Sequence, residues 1–318
     1  MDRVVATDDP MIDVDVLRDE LDAEVAVVDD SEAALLAATD ANAFVVNVNT
    51  PVTAEVLDAV DDLRIVARAG VGIDNIDVAA AADHGVAVTN APDYCTDEVA
   101  THTVALLLDC IRGVAAYDRD TRAGNWGWER GRERHRLRGT TVGLVSFGPI
   151  ARRVREQLRG FAVDVIAYDP YVDADAMAEA DVEKVGLDEL YARADHVSLH
   201  APVTDETRGI VDADALDAMD DGAVLVNTGR GALVDEDALA AALREGTIAA
   251  AGLDVLGTEP PEADHPLLGL DNCIVTPHAA WYSEEARDDL NATVVENVRA
   301  GLAGETPPNY IDPETDWL

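Results

Sequence analysis

The chain has 318 residues, enough for two domains of ordinary size, and its 64 acidic residues against 23 basic ones give a formal net charge of −41. Hydrophobic residues make up 48% of the chain, which excludes an acidic disordered tail. The charge excludes a protein that coats nucleic acid or an anionic membrane, because every approach to a phosphate meets net repulsion.

Dense carboxylates are typical of proteins in a salt-rich cytoplasm, where they hold water and counterions while their mutual repulsion is screened. We therefore expect a halophilic, cytoplasmic protein. The opening MDRVVATDDP has no basic segment followed by an apolar one, so we predict no signal peptide, and no apolar run reaches the ~18 residues of a membrane span. The cysteines Cys95, Cys110 and Cys273 have no paired spacing, which predicts neither a disulfide framework nor a metal site.

Short β-branched runs alternate with alanine-rich helical stretches along the chain, which predicts parallel sheets with helices on both faces. The first series of predicted strands covers residues 3–6, 25–28, 43–46, 64–67 and 86–88. The second series covers residues 141–145, 163–168, 196–199, 223–226, 250–254 and 273–275. Two series predict two α/β domains, each a doubly wound sheet of the Rossmann or flavodoxin kind.

Between the two series, residues 97–116 are predicted to form one long helix that crosses between the domains. Residues 118–140 then form a Gly- and Arg-rich arm, and residues 283–302 a last helix that returns to the first domain. The arm has arginines at every second position, which would share one face of an extended segment: Arg130, Arg132, Arg134, Arg136 and Arg138. They could form a polyanion patch, but we favour pairing with acidic residues of a second subunit, because the chain has many carboxylates and no motif for base readout.

The first strand of the second series is followed by a turn that resembles a dinucleotide fingerprint. From Ser146 the turn reads S-x-G-x-x-A around Gly148, where the usual pattern is G-x-G-x-x-G, and Pro149 and Ile150 begin the helix that would face a pyrophosphate. Proline has no N–H to donate, so one phosphate contact is expected to be absent or replaced by water. Asp169 ends the next strand 21 residues after Gly148, where a carboxylate binds ribose hydroxyls and repels a 2′-phosphate. The turn predicts NAD as cofactor, in preference to NADP.

Four stretches, of which the glycine turn is one, are together more specific than that turn alone. The stretches concerned are the turn at 143–151, HVSLHAPVTDETRGIV at 196–211, MDDGAVLVNTGRGALVDEDAL at 219–239, and GLDVLGTEPP with TPHAAW at 252–261 and 276–281. Together they resemble the D-isomer-specific 2-hydroxyacid dehydrogenase family over nearly the whole chain. HAAWYSEEA and APDYCTDEVA resemble the C-terminal-binding-protein-like subgroup. The resemblance implies an interdomain active-site cleft and an NAD-dependent interconversion of a D-2-hydroxy acid and its 2-oxo acid.

Three residues in these stretches have the chemistry to reduce a 2-oxo acid. Arg230, between Gly229 and Gly231, offers a planar guanidinium fork to the substrate carboxylate, and the glycines let its backbone approach a ligand. His278 follows a strand and would act as general acid in reduction and base in oxidation, while Glu259 would pair with it and fix its tautomer. By resemblance these are the family's catalytic residues. Taken singly, each could instead be a surface ion pair, a solvated carboxylate or a structural histidine.

The resemblance also implies cofactor and substrate residues. The cofactor residues beyond the turn are Thr103, His200, Ala201, Pro202, Thr228, Gly229 and Asp254, the last near the nicotinamide carboxamide. The substrate residues are Arg68, Val71, Gly72 and Trp281. Val71 and Gly72 would offer N–H groups to the substrate carboxylate, and Arg68 would meet a distal anionic group or form a strand-end salt bridge. Trp281 would favour an apolar substrate side chain or pack between the domains.

We therefore predict a substrate-binding domain at 1–97 with 287–318, an NAD-binding domain at 98–286, and a homodimer formed through the cofactor domain and the arm. Phosphoglycerate dehydrogenase and glyoxylate or hydroxypyruvate reductase are alternative activities, although the first 80 residues offer a substrate phosphate only Arg3, Arg18, Arg64 and Arg68. An NAD(H)-sensing scaffold is a further alternative that the complete arginine–glutamate–histidine set disfavours. No nucleic acid, membrane or metal is predicted as a partner.

Overall fold

A computed structural model describes residues 1–129 and 133–315. The chain divides into two compact units, Met1–Cys95 with Tyr282–Leu318, and Thr96–Trp281. In each unit, neighbouring strands of the sheet pair in parallel and helices flank the sheet. The predicted fold class of two doubly wound α/β units is confirmed, and the predicted strands all occur with ends that shift by one or two residues at most. The cleft stays a prediction.

The first unit holds a five-stranded sheet. Its strands are β1 (Asp2–Thr7), β2 (Ala23–Val28), β3 (Ala43–Val46), β4 (Ile65–Arg68) and β5 (Ala87–Thr89). The helices between them are α1 (Val14–Glu20), α2 (Glu32–Ala37), α3 (Ala54–Asp58) and α4 (Val78–Asp83). The strand order β2-β1-β3-β4-β5 is flavodoxin-like. Strands β3 and β4 are buried along their whole length, because both faces of the sheet are covered.

The second unit holds a seven-stranded sheet. Its strands are β6 (Thr141–Val145), β7 (Asp164–Tyr168), β8 (Glu183–Lys184), β9 (His196–Leu199), β10 (Val224–Asn227), β11 (Ala250–Leu253) and β12 (Cys273–Val275). Its helices are α5 (Thr96–Arg112), α6 (Val114–Arg122), α7 (Pro149–Leu158), α8 (Ala174–Ala178), α9 (Leu187–Arg193), α10 (Ala213–Ala218) and α11 (Glu236–Glu245). The order β12-β11-β10-β9-β6-β7-β8 reverses direction between β6 and β9. Doubly wound sheets bind ligands at the carboxyl ends of the strands at such a point.

The last helix, α12 (Glu284–Ala303), belongs to the first unit and packs on β3 and β4. Leu290 and Val294 of α12 share a buried core cluster with Ile65 of β4. Gly301 allows this close packing, because a Cβ there would lie 2.7 Å from the Cβ of Ile65. The chain therefore returns to its first sheet through α12.

The single helix predicted over 97–116 is wrong, because the structure divides it into α5 and α6. Gly113 separates them in the left-handed conformation, with φ 65°. The Asp109 carboxylate accepts a hydrogen bond from the N–H of Ala115 at 2.9 Å, which starts the second helix. A Cβ on Gly113 would overlap the guanidinium of Arg134. Among the described residues no single helix is long and apolar enough to span a membrane. Helices α5 and α6 have that length and composition only as a pair, and the pair is bent by 61°.

The predicted arm at 118–140 begins inside α6. Two of its alternating arginines, Arg130 and Arg132, lie outside the described residues. Arg134 binds within its own unit: its guanidinium lies 5.5 Å from the centroid of the Tyr117 ring and donates to the Cys110 carbonyl at 3.2 Å. Arg136 and Arg138 are exposed, so the predicted pairing with a second subunit stays a prediction for them.

Candidate active site

The turn after β6 has the geometry of an anion site. Gly148 is the N-cap of α7, and no side chain caps this helix. Pro149 occupies the first position, so the N–H groups available at the positive end of the helix dipole start at Ile150. A Cβ on Gly148 would meet no described atom within 4 Å. Arg152 adds a cation beside the turn, because its guanidinium lies over the ring of Phe147, a residue of the turn, at 4.6 Å from the ring centroid. The turn therefore fits a pyrophosphate.

The Asp169 carboxylate fastens the turn to the end of β7. Its Oδ2 accepts hydrogen bonds from the N–H of Phe147 at 2.8 Å and from the Ser146 hydroxyl at 3.1 Å. Its Oδ1 accepts from the N–H groups of Tyr171 at 2.8 Å and Val172 at 3.2 Å. A ribose hydroxyl that binds Asp169 must add to these donors or replace one. The Ser146 hydroxyl is the replaceable one, because the other three donors are backbone groups.

His278 and Glu259 form a hydrogen-bonded pair near the carboxyl edge of the second sheet. Nδ1 of His278 lies 2.7 Å from Oε2 of Glu259, whose Oε1 accepts from the N–H of Leu256 at 2.8 Å. Burial would raise the pKa of Glu259, but the hydrogen bond and charge of His278, the Leu256 N–H and the charge of Arg230 outweigh burial and lower it. An ionised carboxylate accepts a hydrogen bond from the Nδ1–H group, which leaves Nε2 as the ring atom for a substrate.

Arg230 lies in a turn that Asn227, the last residue of β10, holds from both sides. The Asn227 side chain accepts from the N–H of Gly229 at 3.0 Å and donates to the Arg230 carbonyl at 2.8 Å. The half-buried guanidinium of Arg230 donates to the Gly229 carbonyl at 2.9 Å. The sequence predicted that Gly231 lets the backbone approach a ligand. The structure shows a different need for glycine, because a Cβ at residue 231 would overlap the backbone of Leu256.

Comparison with known proteins decides which family this site belongs to. The family model for the NAD binding domain of D-isomer specific 2-hydroxyacid dehydrogenases matches residues 104–280. The chain belongs to this family. It is 44% identical over 283 residues to D-3-phosphoglycerate dehydrogenase of Mycobacterium leprae, a match that covers 87% of this chain and 52% of that protein. The chain thus spans about half the length of the phosphoglycerate dehydrogenases that it matches first.

Solved structures of a dehydrogenase and of a reductase have the same fold. D-lactate dehydrogenase of Aquifex aeolicus, complexed with NAD and lactic acid, superposes with a TM-score of 0.87 at 28% identity and covers 95% of this chain and 96% of its own. The NADPH-dependent glyoxylate/hydroxypyruvate reductase of Sinorhizobium meliloti, in complex with NADP and malonate, gives 0.87 at 32% identity over 98% and 96%. The neighbours therefore include both cofactor types.

Several residues predicted to bind the cofactor lie at the carboxyl edge of the second sheet. The hydroxyl oxygens of Thr103 in α5 and Thr228 after β10 lie 2.7 Å apart, and both residues are buried. His200, Ala201 and Pro202 follow β9, at the point where the strand order reverses. Their positions suit a dinucleotide, and their contacts with it stay predictions.

The predicted substrate loop lies in the first unit, after β4. Arg68 is buried, and its guanidinium donates to the Ala69 carbonyl at 2.7 Å. It fills the space where a Cβ of residue 70 would lie, and Gly70 has φ 142°, so this position needs glycine. The Asn90 amide holds the loop by donating to the Val71 carbonyl at 2.7 Å, and Val71 is half-buried. Whether Arg68 meets a distal anion stays a prediction, as does substrate binding by Val71, Gly72 and the half-buried Trp281.

Sequence reasoning missed three polar side chains that support the site. Asn227 holds the turn of Arg230, while Thr276 and His102 contact Asp254 beneath the loop of His278. A detectable signal exists for two of them, because Asn227 and Thr276 are polar residues at or just after the end of a strand inside the family motifs. His102 lies on α5, and only the fold brings it to this loop.

We expect Ser146→Gly to be more stable than Ser146→Ala. Both variants lose the hydroxyl that binds Asp169, but Ser146 has φ 76°, a left-handed conformation that costs a residue with a Cβ about 1 kcal/mol. Urea unfolding at constant molar salt measures the difference. Equal free energies of unfolding for the two variants would show that the turn carries no such strain.

His200 gives a second prediction, because burial lowers its pKa to about 4. The native state then resists protonation, whereas an unfolded histidine binds a proton below about pH 6.5. Above about pH 6.5 the histidine is neutral in both states, so it gives the free energy of unfolding no pH dependence. As the pH drops from about 6.5 towards 4, that free energy falls by at most about 1.4 kcal/mol per pH unit. Urea unfolding at pH 7.5 and 5 should show a smaller loss for His200→Gln than for the parent; parallel losses would contradict the prediction.

Proposed function

We propose that the chain is an NAD-dependent oxidoreductase that interconverts a D-2-hydroxy acid and its 2-oxo acid. The observation that carries the proposal is the hydrogen-bonded pair of Glu259 and His278, with Arg230 close enough for its charge to act on Glu259, inside the family's NAD binding domain. A cation, a proton donor and a carboxylate that orients the donor are the groups that this reaction requires.

In the direction of reduction, a bound nicotinamide cofactor would supply the hydride that C2 of the 2-oxo acid requires. Arg230 binds the substrate carboxylate and carbonyl oxygen through its planar fork. His278 donates a proton from Nε2 to the carbonyl oxygen, so the C=O double bond becomes C–OH. Glu259 stabilises the charged ring before the transfer and fixes Nδ1 as the other protonated atom. Oxidation reverses each transfer, with His278 as the base.

The experiment that tests this function is NADH consumption with a panel of 2-oxo acids in molar salt. We expect turnover of at least one acid by the parent and a loss of about 10²–10⁴-fold for His278→Gln, the range for removal of a general acid. The exposed His135 provides a control variant, His135→Gln, which should behave like the parent. Absence of turnover across the panel, or equal rates for His278→Gln and the parent, would refute the proposal.

For the cofactor we propose NAD in preference to NADP. The support is Asp169, a carboxylate that four protein donors hold at the end of β7, where it would repel a 2′-phosphate. Fluorescence titration should give tighter binding of NADH than of NADPH, and Asp169→Ser should reduce the preference. Equal affinities of the parent for both dinucleotides would contradict the assignment.

For the substrate we favour a small 2-oxo acid with an apolar side chain over 3-phosphohydroxypyruvate, with glyoxylate or hydroxypyruvate as the alternative. Three of the four early arginines contact carboxylates of their own unit: Arg3 with Asp40, Arg18 with Asp15 and Arg64 with Asp2. The indole of Trp281 favours a substrate with an apolar side chain. It also supports our assignment of the chain to the subgroup that resembles C-terminal-binding proteins. A higher kcat/KM for a phosphorylated acid than for 2-oxobutyrate would reverse this choice.

We also propose a halophilic cytoplasmic enzyme that forms a homodimer through the cofactor domain and the arm. The support is the net charge of −41 and two tryptophans in the arm, Trp126 and Trp128, that are 92% and 81% exposed. Sedimentation should give a dimer in molar salt and dissociation in dilute buffer. Replacement of both tryptophans by serine should give monomers; a variant that remains dimeric would exclude the arm as the interface.

A further inference from the structure

The side chains of His102, Thr276 and Asp254 form a hydrogen-bonded network next to the loop that carries His278. Nε2 of His102 on α5 lies 3.0 Å from the hydroxyl oxygen of Thr276, and that hydroxyl lies 2.5 Å from Oδ1 of Asp254. Nε2 of His102 also lies 3.6 Å from the same Oδ1. Asp254 is 1% exposed, so its charge is stabilised by these neighbours rather than by water. The three side chains connect α5 with the end of β11 and the start of the His278 loop.

The directions of these hydrogen bonds follow from the number of protons. The Thr276 hydroxyl has one proton, and the short distance to the carboxylate assigns it to Asp254. The Thr276 oxygen must therefore accept from His102, which means that Nε2 of His102 carries a proton. The hydrogen bonds run from the His102 ring through the Thr276 hydroxyl to the Asp254 carboxylate. Removal of the Thr276 hydroxyl leaves the buried carboxylate of Asp254 less satisfied.

The Asp254 carboxylate in turn fixes the backbone after His278. Oδ1 accepts from the N–H of Ala279 at 2.9 Å, and Oδ2 accepts from the N–H of Ala280 at 2.8 Å. The N–H of His278 donates to the Asp254 carbonyl at 2.8 Å. His278 has φ 52°, a left-handed conformation that a residue with a Cβ keeps only when its surroundings hold it. The orientation of the His278 ring therefore depends on the position of the Asp254 carboxylate.

We propose that His102 is a positioning residue for the general acid–base His278 and acts through Thr276 and Asp254. The inference rests on the proposed function only in its kinetic part. His102 does not touch the reacting atoms: its ring donates to Thr276, Thr276 fixes the rotamer of Asp254, and Asp254 holds the N–H groups of the loop. Because proton transfer is sensitive to small displacements of the donor, the network should matter for kcat more than for cofactor binding.

The test uses variants of His102 and Thr276 in the full chain. His102→Leu removes the donor, Thr276→Val removes the hydroxyl at similar shape, and the double variant removes both. His102→Gln is the conservative variant, because its amide N–H can donate to Thr276. His84→Leu is the matched control, since His84 pairs with Asp58 at 2.8 Å at an exposed position in the other unit. The measured quantities are kcat, KM, the Kd for NADH and the deuterium exchange of the amides at 276 and 278–281.

We expect His102→Leu and Thr276→Val each to lower kcat about 10- to 100-fold while the Kd for NADH stays near the parent value. The double variant should be no slower than the slower single variant, because both changes break one path. His102→Gln should recover most of kcat. Exchange at Ala279 and Ala280 should speed up in His102→Leu but not in His102→Gln or His84→Leu.

Two results would overturn the inference: losses that multiply in the double variant, or kcat and amide exchange in His102→Leu that match the parent. An inactive parent enzyme would count against the proposed function instead. The exchange measurement still decides the positioning role in that case, because it needs neither substrate nor cofactor.

Discussion

Arg230→Leu is expected to lower kcat/KM for reduction of a 2-oxo acid by about 10²–10³-fold, the typical cost of removing one group that stabilises a developing oxyanion. The turn of Arg230 is fixed by Asn227, so its guanidinium is already oriented before a substrate arrives. The loss should appear in both kcat and KM, because the fork would bind the substrate carboxylate and the carbonyl oxygen. Steady-state kinetics with the best acid of the panel measures it.

Two further arginine variants make this result specific. Arg230→Lys keeps the charge but not the planar fork, so it should recover only part of the activity. Arg244 is an exposed arginine on α11 whose guanidinium donates to the Pro266 carbonyl at 3.2 Å, and Arg244→Leu should leave the kinetics unchanged. If Arg230→Leu and Arg244→Leu were equally active, Arg230 would have no role in catalysis.

Gly231→Ala is expected to reduce both stability and activity, although the change adds only a methyl group. A Cβ at residue 231 would overlap backbone atoms of Leu256 and Gly257, which cannot move away as a flexible side chain could. We expect a loss of about 3 kcal/mol in the free energy of unfolding. The displaced Leu256 N–H also holds Glu259, at 2.8 Å, so kcat should fall in the fraction that remains folded.

Gly229→Ala is the matched control for stability, because it lies two residues earlier in the same turn. A Cβ there would lie 3.4 Å from Cδ1 of Leu233 and 3.5 Å from Oδ1 of Asn227, which are ordinary contact distances. Urea unfolding of both variants at constant molar salt separates a general intolerance of the turn from the specific overlap at Gly231. Similar free energies for Gly231→Ala and the parent would mean that the backbone around Leu256 adjusts freely.

Most strands could be predicted because their burial leaves a repeated pattern in the sequence. Strands such as β3 and β10 are covered on both faces, so nearly every residue is apolar and the run stands out between polar helices. Strand β8 has only two residues, too few for a pattern. The break at Gly113 was missed because a single glycine within a helical stretch is ambiguous, and here its conformation depends on Arg134, 21 residues further on.

The candidate site was predictable where chemistry leaves one choice of side chain, and less so where packing decides. The pairing of Glu259 with His278 was expected from the motifs, and the structure contains that contact. The position of His102 beneath the His278 loop depends on how α5 packs across β10 and β11. The need for glycine at residue 231 could likewise be recognised only from the path of the backbone at Leu256. Such long-range contacts have no local signature.

The most direct measurement of the central claim follows the hydride itself. The parent enzyme would reduce pyruvate or 2-oxobutyrate with NADH that carries deuterium at both C4 positions, and mass spectrometry with chiral chromatography would analyse the product. The predicted result is a D-2-hydroxy acid with one deuterium at C2, formed by the parent and almost absent with His278→Gln. An L product, a product without deuterium at C2, or equal yields from the two proteins would contradict it.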